Sequence, residues 1–146
     1  MLNQLLTTEL TSIDIYFVQS RILQNKGYLK LYENLNHEME DEQGHAAKII
    51  ERIIFLEGSP EVHKREAFTI EQDVVKMFEL DLNYEMDVRA KLTDGIELCL
   101  KLKDYVTKEI LESLLIDTEE DHIDWLETQL SIIKDIGRER YLAEKI

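Results

Sequence analysis

Four long stretches of this chain repeat apolar residues at helical spacing, and each carries an acid or an imidazole where another apolar side chain belongs. In the first, Leu2, Leu6, Ile13, Phe17 and Leu23 mark the stripe; Glu9 interrupts it, and Tyr16 lies two turns further along the same face. In the second, Leu31, Leu35, Ile49, Ile53 and Leu56 surround Glu42 and His45. In the third, Val74, Phe78, Leu82, Leu92, Ile96 and Cys99 surround Glu85. In the fourth, Leu115, Leu126 and Ile133 surround Glu119 and His122. A buried charge is costly unless it is paired or bound to metal. The fold must therefore bury four stripes and give their six polar groups a common partner.

One Pro and five Gly in 146 residues leave little room for loops, so the chain reads as all-α and as a single domain, residues 1–146. The spacing predicts helices over about residues 2–25 and 28–57, from Thr69 to about Lys101, and from about Asp104 to Ile136. Gly27 supplies a left-handed cap for the first. Gly58, Ser59 and Pro60 stop the second. Thr69 with Gln72 reads as a capping box opening the third. Gly137 breaks the fourth, and residues 138–146 form a short fifth helix carrying Tyr141, Leu142 and Ile146. The polar connection of about a dozen residues before Phe68 is long for a bundle; it allows a crossover that leaves helices two and three parallel.

A formal net charge of −14 repels nucleic acid and anionic membranes and attracts cations. Cys99 is the single cysteine, so no internal disulfide can form, which fits a reducing cytoplasm. The first residues lack the basic start and apolar run of a secretory signal, and no stretch has the roughly 18 uncharged apolar residues of a membrane span.

Glu42/His45 and Glu119/His122 each place a carboxylate three residues before an imidazole, so on an α-helix each pair shares a face. One such pair in so acidic a chain means little. Two pairs, together with Glu9 and Glu85 on the other two stripes, match the general pattern of a dinuclear metal site in a four-helix bundle. Two divalent cations would neutralise carboxylates that otherwise repel one another, and this donor set suits iron, manganese or zinc. Trp125 lies three residues after His122, and, like Tyr16, it reads first as packing. His37 and Asp41, one turn apart, read first as a solvated pair; His63 and Cys99 read as structural.

At this point the residues resemble a known family, the bacterioferritins. The likeness lies in Leu5-Leu6-Thr7-Thr8-Glu9-Leu10 through Tyr16-Phe17, in Glu42-Gln43-Gly44-His45-Ala46 followed by Ile50 to Gly58, and in Glu119 to Glu127, and it extends over essentially the whole chain. It implies a ferritin-like four-helix bundle in a homo-oligomeric shell of 24 subunits that stores iron, with ferroxidase activity at a di-iron centre in each subunit. By the same resemblance, Glu42 and Glu119 would bridge two irons, Glu9 and His45 would complete one, and Glu85 and His122 the other. Tyr16 and Trp125 would be aromatic neighbours of the centre, and His37 with Asp41 an iron site on the inner wall. The family's haem-ligand methionine would stand at position 43, where this chain has Gln43; Asn36 and Asp14 replace a tyrosine and an asparagine of the haem pocket. An amide is a poor haem ligand, which speaks against haem b in a homodimer and fits a subunit that mixes with a haem-binding one. Two other readings remain open: a di-iron oxidase or peroxide scavenger without storage, and an acidic helical interaction protein without metal.

Overall fold

Helical spacing becomes helix over most of the chain. The computed structural model describes Met1 to Ile146 and has no strand. α1 spans Leu2–Lys26, α2 Leu29–Phe55, α3 Val74–Leu102, α4 Tyr105–Asp117, α5 Asp124–Ile136 and α6 Arg138–Ala143. A π-helical turn, Thr118–Ile123, joins α4 to α5 with right-handed helical dihedrals at both junctions. α4, the π turn and α5 thus form one continuous rod, the fourth of the bundle. No helix is long and apolar enough to cross a membrane.

The stops lie close to where the chain signals them. Gly27 sits at φ +88°, and its N–H and that of Tyr28 return to carbonyls of the last turn of α1. Gly137, at φ +86°, ends α5. α3 differs from expectation at its start. Thr69 and Gln72 form no capping box; Asp73 caps α3 by accepting the Lys76 N–H at 3.1 Å. A carboxylate is as good a cap as a threonine hydroxyl, and the Gln72 carbonyl is bonded instead by the Lys26 ammonium. α2 also ends at Phe55 rather than 57, which leaves Leu56 exposed. Phe17 is exposed too, under the Arg21 guanidinium at 4.8 Å.

The connection over residues 56–73 runs the length of α1. Asn3 binds Ser59 and Glu61, Thr11 accepts the Glu66 N–H, Arg65 binds Asp14, and Lys26 reaches Gln72. Fully extended, such a segment spans roughly 60 Å. A helix as long as the 25-residue α1 needs only about 37 Å. The crossover therefore carries the chain back to the other end of the bundle, and α3 runs parallel to α2, as expected. Arg52 of α2 bonds Asp104 and Thr107 at the α3–α4 turn, which ties together the ends this topology makes neighbours. α6 packs back, with the buried Tyr141 hydroxyl donating to Gln129 at 2.6 Å.

The core is divided. One apolar cluster gathers Leu23, Leu31, Leu35, Met77, Phe78 and Leu126 with their neighbours. The other gathers Leu5, Leu6, Ile49, Leu92, Leu111 and Leu114 with theirs. Glu9, Glu42, His45, Glu85 and His122 occupy the level between them.

Candidate metal centre

Between the two clusters, Glu9, Glu42, Glu85 and His122 are each about 1% exposed, and His45 4%. They form two groups whose ligand atoms lie within 4.8 Å of one another: Glu9, Glu42 and His45, and Glu42, Glu85 and His122. Glu42 belongs to both. His45 Nδ1 stands 3.4 Å from Glu42 and 3.6 Å from Glu9. His122 Nδ1 stands 2.9 Å from Glu42 and 3.3 Å from Glu85. The imidazoles stack with centroids 5.8 Å apart.

Each imidazole turns its second nitrogen to another acid. His45 Nε2 lies 3.0 Å from Asp117, and His122 Nε2 lies 2.8 Å from Glu38. A carboxylate on Nε2 favours the tautomer that leaves Nδ1 free as a ligand, and it keeps the ring from rotating. Tyr16 supports the centre from α1, its hydroxyl donating to Glu85 at 2.6 Å. Burial first, then Glu85, pushes the Tyr16 hydroxyl well above its ordinary range.

So many acids in one dry space cannot all be ionised. Burial pushes Glu9 well up, and the neighbouring Glu42 charge pushes it further. Burial also raises Glu85, against the pull of its His122 contact. Burial acts on Glu42 the same way, but contacts with Glu9 and both imidazoles outweigh it and hold Glu42 well below the usual carboxylate range. Burial should lower His45; Glu42 and Glu9 reverse this and raise it to about 11. His122 is raised likewise, by Glu38, Glu42 and Glu85 against burial. Glu42 and the two imidazoles thus favour their charged forms together, a charged knot, while burial favours the neutral forms of Glu9 and Glu85.

The hydrogen bonding of this knot is incomplete. Both Glu9 oxygens, Glu42 Oε2, Glu85 Oε2, His45 Nδ1 and His122 Nε2 are buried without a well-aligned partner. Buried oxygens lacking donors beside imidazole nitrogens are the donor set a borderline divalent cation takes. The residues fit two metal ions.

The structure brings together five of the six expected ligands. Glu119 is the exception: its side chain is exposed on the π turn, and it is in neither group. The physical reason is the wider turn. With i→i+5 bonding, a residue three before His122 no longer shares its face, while Thr118, four before it, turns inward and Asp117, five before it, stays partly exposed. Thr118 is buried, and Asp117 reaches His45. His37 and Asp41 are 3.5 Å apart and solvent-facing. They line a cleft of about 460 Å³ with Glu38, Glu120, Asp121 and Asp124. Glu38, Asp41 and His122 form a third possible cation group at its base. Trp125 is half-buried and packs edge-on against Phe78, as its packing reading expects.

Four contributors escaped the sequence reading. Glu38 and Asp117 act on the histidines from positions that only the folded backbone defines. Asp81 and Gln19 form a buried pair at 2.7 Å, with burial pushing the Asp81 carboxyl well up. These two were findable: Asp81 precedes Glu85 by one turn, and Gln19 follows Tyr16 by three residues, so both lie on stripes. For haem, the donor chemistry does not fit: Gln43 is exposed and offers an amide, while Met39, one turn away, is packed in the core.

The ferritin-like domain family matches residues 1–136. A protein named bacterial ferritin from Pseudomonas aeruginosa is 48% identical, covering 99% of this chain and 94% of its own. Another bacterial ferritin, from Synechocystis, is 41% identical over 99% of this chain and 93% of its own. A bacterioferritin from Brucella melitensis is 43% identical over 96% of this chain and 86% of its own.

Proposed function

The chain belongs to the ferritin-like family, and on that premise we propose that it stores iron and oxidises Fe(II) at a dinuclear site inside each subunit. One observation carries the reading: two three-ligand groups meet at Glu42, in a space whose oxygens lack hydrogen-bond donors. Fe(II) is the substrate. Glu9, Glu42 and His45 would take one ion, and Glu42, Glu85 and His122 the other. Glu119 joins this set by family resemblance alone, since its side chain lies outside the site.

The protein's part in the reaction is to position the ions and handle protons. His45 is raised to about 11 and Glu9 and Glu85 are raised too, so Fe(II) competes with protons for these ligand atoms. Asp117 and Glu38 keep the imidazoles aimed inward while Nδ1 deprotonates. The apolar clusters above and below exclude bulk water. Each Fe(II) gives up one electron; two electrons and two protons take O2 to hydrogen peroxide, or take peroxide to two waters. The ferric product passes to a mineral inside a shell, for which 24 subunits is the family expectation. The acidic surface draws cations in, and the cleft at His37 and Asp41 adjoins the site at His122 and would be an inner-wall stop for iron.

Stopped-flow absorbance after Fe(II) addition in air, combined with size-exclusion chromatography, tests the whole reading. The expected result is a fast phase saturating at two Fe(II) per subunit, from a very large assembly. A fast phase from a small species would mean a scavenger without storage. No fast phase and no bound metal would leave an acidic helical interaction protein.

A further inference from the structure

The hydroxyl side chains of α1 divide sharply. Thr7, Thr8, Thr11 and Ser20 each donate to a carbonyl three or four residues back. This is the ordinary resting place of a hydroxyl inside a helix. Ser12 does not do so. It is 0% exposed, and its Oγ is without any hydrogen-bond partner. A buried hydroxyl with no partner destabilises the fold unless something else requires it.

Its position supplies the requirement. Ser12 follows Glu9 by three residues and precedes Tyr16 by four, so it lies on the inner face of α1 between the two. Side chains in a helix lean towards its N-terminus, which inclines the Ser12 hydroxyl towards the turn of Glu9. The carboxylates of the centre are unequally supported. Glu85 accepts the Tyr16 hydroxyl at 2.6 Å, and Glu42 lies 2.9 Å from His122 Nδ1. Neither oxygen of Glu9 has a hydrogen-bond partner; His45 Nδ1 stands 3.6 Å from one of them, beyond hydrogen-bond reach. One buried donor without an acceptor and one buried carboxylate without a donor therefore share a face, one turn apart.

We propose that Ser12 is a positioning residue of the metal site: when a cation binds between Glu9 and His45, the Ser12 hydroxyl donates to the Glu9 oxygen the cation does not use, and fixes that carboxylate in its ligating orientation. It does for Glu9 what Tyr16 does for Glu85. The inference rests on the dinuclear reading above and assigns a second supporting hydroxyl to it.

Titration of the full assembled protein, stripped of iron, with Co(II) separates the two claims, because Co(II) is spectroscopically visible and does not turn over. Wild type should bind two Co(II) per subunit with intense visible bands. Ser12→Ala should still bind two, with one weakened about tenfold, the size of one hydrogen bond to a charged group, and with the bands of that ion shifted. Ser20→Ala, whose hydroxyl is satisfied away from the centre, should titrate like wild type. The stripped Ser12→Ala protein should melt at the wild-type temperature or above. Co(II) titrations of Ser12→Ala and wild type that superimpose would overturn the role of Ser12, as would a lower melting temperature of the stripped variant. Failure of the wild type itself to bind Co(II) would instead remove the dinuclear reading.

Discussion

The chain contains the same Glu-x-x-His spacing twice, and the two copies end differently. On α2 the backbone is regular, and Glu42 and His45 are both buried at the centre. On the fourth rod the motif falls in the π turn Thr118–Ile123; His122 faces in, and Glu119 faces out. Residue spacing fixes relative direction only for a given helix period. The regular copy places Glu42 in both candidate groups. The widened copy turns Glu119 outward and sets Asp117 against His45 Nε2, so it contributes a contact behind an imidazole where the first copy contributes a buried carboxylate.

The largest effect should come from the regular copy. Glu42→Ala removes the residue common to both groups and should abolish tight binding of both ions and the fast phase of Fe(II) oxidation, while the helices and the assembly persist by circular dichroism and size exclusion. His122→Ala should likewise lose the fast phase, with one ion still bound. Two bound ions and an undiminished fast phase in Glu42→Ala would break the contrast outright.

The widened copy then gives a sharper test. Glu119→Ala should weaken one ion about tenfold, or about 1.4 kcal/mol, if Glu119 is a ligand as the family resemblance implies. Asp117→Ala should weaken the ion at His45 by less, because it removes an orienting contact rather than a ligand. Titration calorimetry with Zn(II) ranks the two. A silent Glu119→Ala beside a damaging Asp117→Ala would show that the π turn keeps its shape when loaded.

A smaller, graded effect should follow pH. His45 is raised to about 11 from an ordinary value near 6.5, so the folded state holds its proton more tightly than the unfolded one. That contribution is fully present below about pH 6.5 and declines as pH climbs towards 11. The raised Glu9 and Glu85 carboxyls act in the same direction. Iron-stripped protein should therefore melt lower at pH 9 than at pH 6.5. Because metal displaces these protons, the stabilisation conferred by Zn(II) should grow over the same interval; thermal scans with and without the ion would show the two trends diverging, and parallel curves would contradict the charged knot. The smallest effect serves as a reference remote from both motifs. Asp73→Ala removes the cap of α3 and should cost about 1 kcal/mol in denaturant unfolding, without changing Zn(II) stoichiometry.

Most of the fold was legible from the chain. Apolar periodicity located the four rods, Gly27 and Gly137 marked two of their ends, and the long polar connection announced the crossover. Glu9, Glu42, His45, Glu85 and His122 were legible because each breaks an apolar stripe. The outward turn of Glu119 was not legible because a π turn leaves the apolar pattern on either side intact: Leu115 and Leu126 lie on one rod with or without it. Asp117 and Glu38 could not be read because their partners are histidines on other helices. Asp73 was passed over for a capping box that matched in letters but lay in a segment bound along α1.

The split core carries a consequence for tolerance to change. With carboxylates and imidazoles lying across the middle, Ile13 is the apolar side chain packed against both the Leu31–Phe78 half and the Leu5–Leu111 half. Outside that one bridge, the two halves pack their own side chains on either side of the polar layer. Changes that shift this layer are felt on both sides at once, and they set the limit on how far the sequence can drift.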